Sequence, residues 1–237
     1  MSNKITQNHL VYQIIEFASS GTVPTDLNVS YELALQWIKE QRSILIGQSL
    51  NKKDAINDSW VQYIPCLKLS QVDESECCDC PSGCYVMKST QKLPSTIDTY
   101  LDNWLVSVIT PGGIQISKSN PIKQRYVKYN KFTSKIRNYY VKNDYLYVIN
   151  EKFLDSVNVS GLFENPEEVA NFTDCSGVAC FDEDSDYPVS LTLASQIVDI
   201  INKTKLQPFM SAPADTSNDA NGLSSSKIIE QNNARKK

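Results

Sequence analysis

The chain has 237 residues, 41% hydrophobic and 21% charged, with a formal net charge of −4. That length can close one good core without metal or disulfide staples, and no apolar run approaches the roughly 20 residues a membrane span requires. A net-acidic balance also argues against a protein that coats nucleic acid, because backbone affinity comes from surplus Lys and Arg.

The N-terminus MSNKITQNHLVYQII lacks a basic segment followed by an unbroken apolar block, so no secretory leader is expected and the cysteines are expected to stay reduced. Leu10, Ile14, Phe17 and Ala18 recur at helical spacing and predict a helix over about residues 8–18, closed by Gly21 and Pro24. A second, longer helix starts at Asn28 or Ser30, either of which can cap free N–H groups, and runs through YELALQWIKEQRSILI to Gly47. Its stripe of Ala34, Trp37, Ile38, Gln41 and Leu45 gives the two helices a shared seam, so they should pack as a hairpin.

The periodicity then changes. WVQYIPCLKLSQV reads as extended, with Pro65 demoting it to an edge strand or marking a bend or bulge. YVMKST and NWLVSVIT alternate as strands do, Pro111, Gly112 and Gly113 make a turn, and GIQIS predicts a short return strand. In RNYYVKNDYLYVIN two aromatic and β-branched runs flank Asn143 and Asp144, residues that tolerate the positive φ of a tight hairpin turn. SVNVSGLFENP adds one more strand, PEEVANF a brief helix, and Leu193, Ile197, Ile200 and Ile201 mark a strong helix after Pro188. The fold class is therefore α+β: an N-terminal helical hairpin (1–48), a β-rich middle with a cysteine turn (49–165), a C-terminal helical segment (166–206) and an extended tail (207–237) too poor in apolar residues to fold alone.

ECCDCPSGC places Cys77, Cys80 and Cys84 at C-x2-C and C-x3-C spacing, close enough for thiolates to meet on one zinc ion, with Cys66, Cys78, Cys175 or Cys180 as a fourth ligand. The second knuckle of a zinc site is missing, however, which favours reduced cysteines in a tight turn. Seven cysteines cannot all pair within one chain. DEDSD at residues 182–186 resembles the opening of a calcium loop, but Tyr187 and Leu193 stand where the glycine and glutamate belong. Its carboxylates are better read as favouring the positive end of the following helix. Between residues 118 and 142 lie Lys118, Lys123, Arg125, Lys128, Lys131, Lys135, Arg137 and Lys142, interleaved with Tyr126, Tyr129, Tyr139 and Tyr140 and with no acid. Aromatic interleaving is what a surface for a single nucleic-acid strand would use, but in a net-acidic chain the stretch is better read as meeting a neighbour's acidic face or as plain solvated charge. The lone histidine, His9, lies on the first helix, and GxxxxGK[ST], GxGxxG and HExxH are absent, so no enzyme is expected. One alternative is a zinc-containing nucleic-acid-binding module built on the cysteine turn and the basic stretch.

Taken in order, the helical hairpin, WVQYIPCLKL, CCDCPSGCYVMKSTQKLP, KFTSKIRNYYVKNDYLYVIN, VSGLFENPEEV, DEDSDYPVS and the final amphipathic helix resemble the head-to-tail connector, or ring, proteins of crAss-like tailed bacteriophages. The similarity covers roughly residues 8–206. It implies a virion protein at the head–tail junction, assembled in the bacterial host cytoplasm as a homo-oligomeric ring of twelve subunits. The portal and further ring or tail proteins would be its partners, and DNA would pass through without sequence-specific binding.

Overall fold

The computed structural model describes residues 5–20, 29–72, 86–97, 105–120, 132, 136–151 and 153–207. The cysteine turn, most of the basic stretch and the tail beyond Gln207 lie outside the described residues. The α+β class holds: among the described residues three α-helices accompany a seven-stranded sheet in the order β3-β7-β1-β2-β6-β5-β4.

Helix α1 (Gln7–Ser20) buries Leu10, Val11, Ile14 and Ala18, while Phe17, at the margin of that face, is 47% exposed. Helix α2 (Tyr31–Asn51) opens at Ser30, whose side chain accepts from the Leu33 N–H at 3.2 Å. It does not stop at Gly47. Gly47 is buried, with Ile97 Cγ2 3.8 Å from where a Cβ would stand, and the helix continues to a left-handed Lys53 (φ 61°). There the Asp54 N–H reaches the Ser49 carbonyl and the Lys53 N–H that of Leu50, at 3.2 and 2.9 Å, a Schellman closure in which lysine takes glycine's usual place.

Strand β1 (Gln62–Val72) pairs on one side with β7 (Ser156–Gly161) through Gln62–Lys68, and on the other with β2 (Val86–Ser89) through Leu69–Val72. In the strand order it lies between β7 and β2, but the stretch around Pro65 is paired with β7 only. The register slips between Ile64 and Leu67, with Cys66 at φ 60°, so Pro65, which cannot donate to the ladder, marks a bulge. The sheet continues outward through β3 (Leu105–Ile109) beyond β7, and through β6 (Tyr145–Ile149) and β5 (Asn138–Lys142) beyond β2. Asn143 and Asp144, at φ 52° and 66°, make the two-residue hairpin turn. GIQIS is not a continuous strand, and only its last residue, Ser117, enters one. Gln115 makes an isolated bridge to Ile109, and β4 (Ser117–Lys118) runs parallel to β5.

A 3-10 turn, Pro166–Asn171, and helix α3 (Leu191–Ile201) complete the helical layer, and Ser190 caps α3 through the Leu193 N–H. Leu193, Ala194, Ile197, Val198 and Ile201 form its buried stripe, with Ile200 only half-buried, and a π-helical turn, Asn202–Leu206, extends it. One apolar cluster joins all three helices to Ile64, Leu67, Val108, Leu146, Val148, Val157 and Val159 of the sheet. Because neighbouring strand residues point to opposite faces, Val86, Tyr140 and Ile149 form a second, smaller cluster on the other face.

Candidate assembly surfaces

Arg42 sits among apolar neighbours on α2 and is fully buried. Its Nε donates to the Pro188 carbonyl at 3.0 Å, Nη1 to Phe163 at 2.6 Å and Nη2 to Trp60 at 3.3 Å. One rigid fork thereby ties α2 to three separate stretches of chain, a task suited to the planar guanidinium. Burial pulls its pKa down to about 10, which still leaves it cationic at neutral pH. Nearby Tyr187 is equally enclosed. Burial pushes its phenol up to about 12 while Arg42 acts in the opposite sense, and its hydroxyl has no hydrogen-bond partner. On the rim, Glu167 accepts from Gln7 Nε2 at 2.7 Å and from Lys39 Nζ at 2.5 Å, joining α1, α2 and the 3-10 turn. These contacts hold the helical layer as one body, a precondition for presenting surfaces at fixed angles.

One surface stands out. On the face of the sheet away from the helices, Tyr147 opposes both Lys88 and Tyr140 in register, and Tyr140 stacks on Tyr147 at 5.0 Å with the rings 3° from parallel. Lys88 Nζ lies 4.3 Å from the centre of the Tyr145 ring and 5.9 Å from that of Tyr147, and Lys92 lies 5.9 Å from Tyr145. Elsewhere, Tyr12, Tyr63, Phe132, Phe153 and Leu191 are each more than half exposed.

Cys77, Cys80 and Cys84 lie outside the described residues, as does Cys78. Cys66 is not available as a fourth zinc ligand. It forms a disulfide with Cys175, the two Cα atoms 5.3 Å apart, contrary to the expectation of reduced cysteines. The bulge turns Cys66 toward the loop at Cys175, 109 residues away, a proximity no local pattern announces. Cys180 is free and half-buried, its thiol pushed up by burial and then by Asp174. Residues 182–186 form an exposed turn closed on itself, with the Ser185 N–H and hydroxyl both donating to the Asp182 carbonyl, at 2.9 and 2.5 Å. The first turn of α3 itself carries no acid, and its N-terminus is capped by Ser190. Among the described residues no group of three or more His, Cys, Asp or Glu side chains is arranged to hold a metal.

Of the eight cations between residues 118 and 142, Lys118, Arg137 and Lys142 are described, and Arg137 pairs with Glu151. Tyr139 and Tyr140 are buried in the two cores and cannot serve as a strand-stacking surface. His9 is exposed on α1. Sequence reasoning missed Arg42, because an arginine inside an apolar stripe is normally assigned to solvent. It also missed Lys88 with Tyr145 and Tyr147, where the alternation within β2 and β6 was the available signal.

Residues 9–233 match the family described as phage tail ring protein 2. The chain is 28% identical over 228 residues to ring protein 2 of Bacteroides phage crAss001, an alignment covering 91% of this chain and 96% of that protein.

Proposed function

The chain belongs to the phage tail ring protein 2 family, a structural component of the virion, and on that premise we propose that it builds a twelve-subunit ring beneath the portal and extends the DNA channel toward the tail. The observation that carries this reading is the match along residues 9–233, which takes in both the helical layer and the whole sheet. Physical features agree with it. The Arg42 fork and the Glu167 rim make the subunit a rigid wedge, and exposed side chains such as Tyr63 and Leu191 leave surface for neighbours. A net charge of −4 suits a channel wall, along which repelled DNA slides. The protein works through its interfaces, without a reaction or a cofactor.

Electron microscopy of the full chain, alone and mixed with the portal protein, tests this. Closed twelve-fold rings stacked on the portal are expected. A monomer under both conditions would overturn the reading, and stoichiometric zinc with salt-sensitive DNA binding would replace it with the nucleic-acid-binding module.

A further inference from the structure

We propose that the sheet face carrying Lys88, Lys92, Tyr145 and Tyr147 is one half of the contact between neighbouring copies, and that its occupant is the acidic turn at residues 182–186 of the next copy. The inference rests on the ring reading and deepens it by naming the surfaces that meet.

A ring closes only through a head-to-tail contact, in which each copy offers two different, complementary patches on different sides. The two patches here meet that requirement. The lysine and tyrosine face lies on the side of the sheet away from the main core, since Lys88 follows Val86 at strand spacing and Val86 belongs to the second cluster. The acidic turn leads into α3, whose Leu193, Ala194 and Ile197 belong to the main core, so it lies on the opposite side of the sheet.

The charges match. Lys88 makes no ion pair within the described chain and rests on the Tyr145 ring, while Lys92 has only a long, exposed contact to Asp144 at 3.8 Å. On the other side Asp182, Glu183 and Asp186 are exposed and enter no ion pair within the described chain. The turn is also preorganised. Its backbone closes through Ser185 and is anchored by the Thr6–Asp186 bridge, so little ordering entropy is lost on docking.

A nucleic-acid strand is the poorer occupant. Lys88 already covers the ring face of Tyr145 on which a base would stack, and Tyr140 is buried. What remains is the exposed Lys92 ammonium beside the half-buried Lys88 ammonium on its aromatic shelf, charges that pair with carboxylates.

The test is mass photometry and electron microscopy of the full chain with the portal protein, comparing wild type, Lys88→Glu/Lys92→Glu, the milder Lys92→Glu, Asp182→Lys/Glu183→Lys, and the combined charge swap. Circular dichroism confirms that each variant folds. Each one-sided double variant should weaken assembly about tenfold or more, Lys92→Glu by less, and the combined swap should restore it, with wild-type rings loosening as salt rises. Wild-type rings that persist unchanged in both one-sided variants, or a combined swap that fails to recover assembly, would overturn this contact and leave the ring reading intact. A wild type that forms no oligomer overturns both. Loss of salt-sensitive DNA binding in Lys88→Glu/Lys92→Glu, with assembly unaffected, would assign the face to nucleic acid instead.

Discussion

Arg42 on α2 donates from Nη1 to the carbonyl oxygen of Phe163 at 2.6 Å, joining residues 121 apart in sequence at a fully buried site. The same fork serves Pro188 and Trp60, so its loss strands three carbonyl groups together. Arg42→Ala should destabilise the chain by about 3–5 kcal/mol in urea unfolding, since it adds a cavity to orphaned acceptors. Arg42→Lys should cost about 2–3 kcal/mol, because one ammonium cannot span the three carbonyls. Unfolding curves that superimpose on wild type would refute this role.

The Cys66–Cys175 bond closes a loop of 109 residues and clamps the β1 bulge to the turn before Cys180. Reduction, or Cys175→Ser, should lower stability by about 2–4 kcal/mol. Peptide mapping without reductant should recover the linked pair, and Cys180, its thiol pushed up by burial, should label slowly in the folded chain. Identical unfolding curves with and without reductant would contradict the assignment.

Asn143 and Asp144 both hold positive φ in the β5–β6 turn. Asp144→Gly should therefore stabilise the chain by about 0.5–1 kcal/mol, because Asn-Gly suits this turn best and the Lys92 contact it removes is exposed and long. Asn143→Val should destabilise it by about 1–2 kcal/mol. Thermal melts in which the two substitutions shift stability in the same direction would refute the turn geometry.

Tyr187 and Arg42 oppose each other in alkali. With its phenol raised to about 12, folded Tyr187 keeps a proton that the unfolded chain releases above its ordinary value near 10, so its contribution is whole below that value and lost as pH climbs through 12. Arg42, lowered to about 10, works the other way, because above that pH the unfolded chain holds the extra proton and stability rises. Tyr187→Phe deletes the first effect and also the upward pull of Tyr187 on Arg42. Its stability relative to wild type should improve between about pH 9 and about pH 11, and at neutral pH it should equal or slightly exceed wild type because the buried hydroxyl has no partner. A constant difference across that range would contradict the assignment.

Features decided by neighbours in sequence were legible: Ser30 as one of two candidate caps of α2, the Asn143–Asp144 turn and the stripe of α3. Those decided across the fold were not. Pro65 announced an irregularity, but whether it marks an edge or a bulge depends on β7, nearly a hundred residues later. Gly47 ended a helix on paper, yet Lys53 supplied the left-handed closure instead. The same limit applied to function. Overall order pointed to a ring protein, as the family match bears out, while the surfaces on which a ring would close emerged only when register placed Lys88 beside Tyr147.

The most direct measurement is the subunit count of the particle formed by the full chain when mixed with the portal protein, read by electron microscopy. A closed ring of twelve copies, seated on the portal and joined to one another by a head-to-tail contact, is the expected result. Single subunits that neither associate with each other nor bind the portal would contradict it.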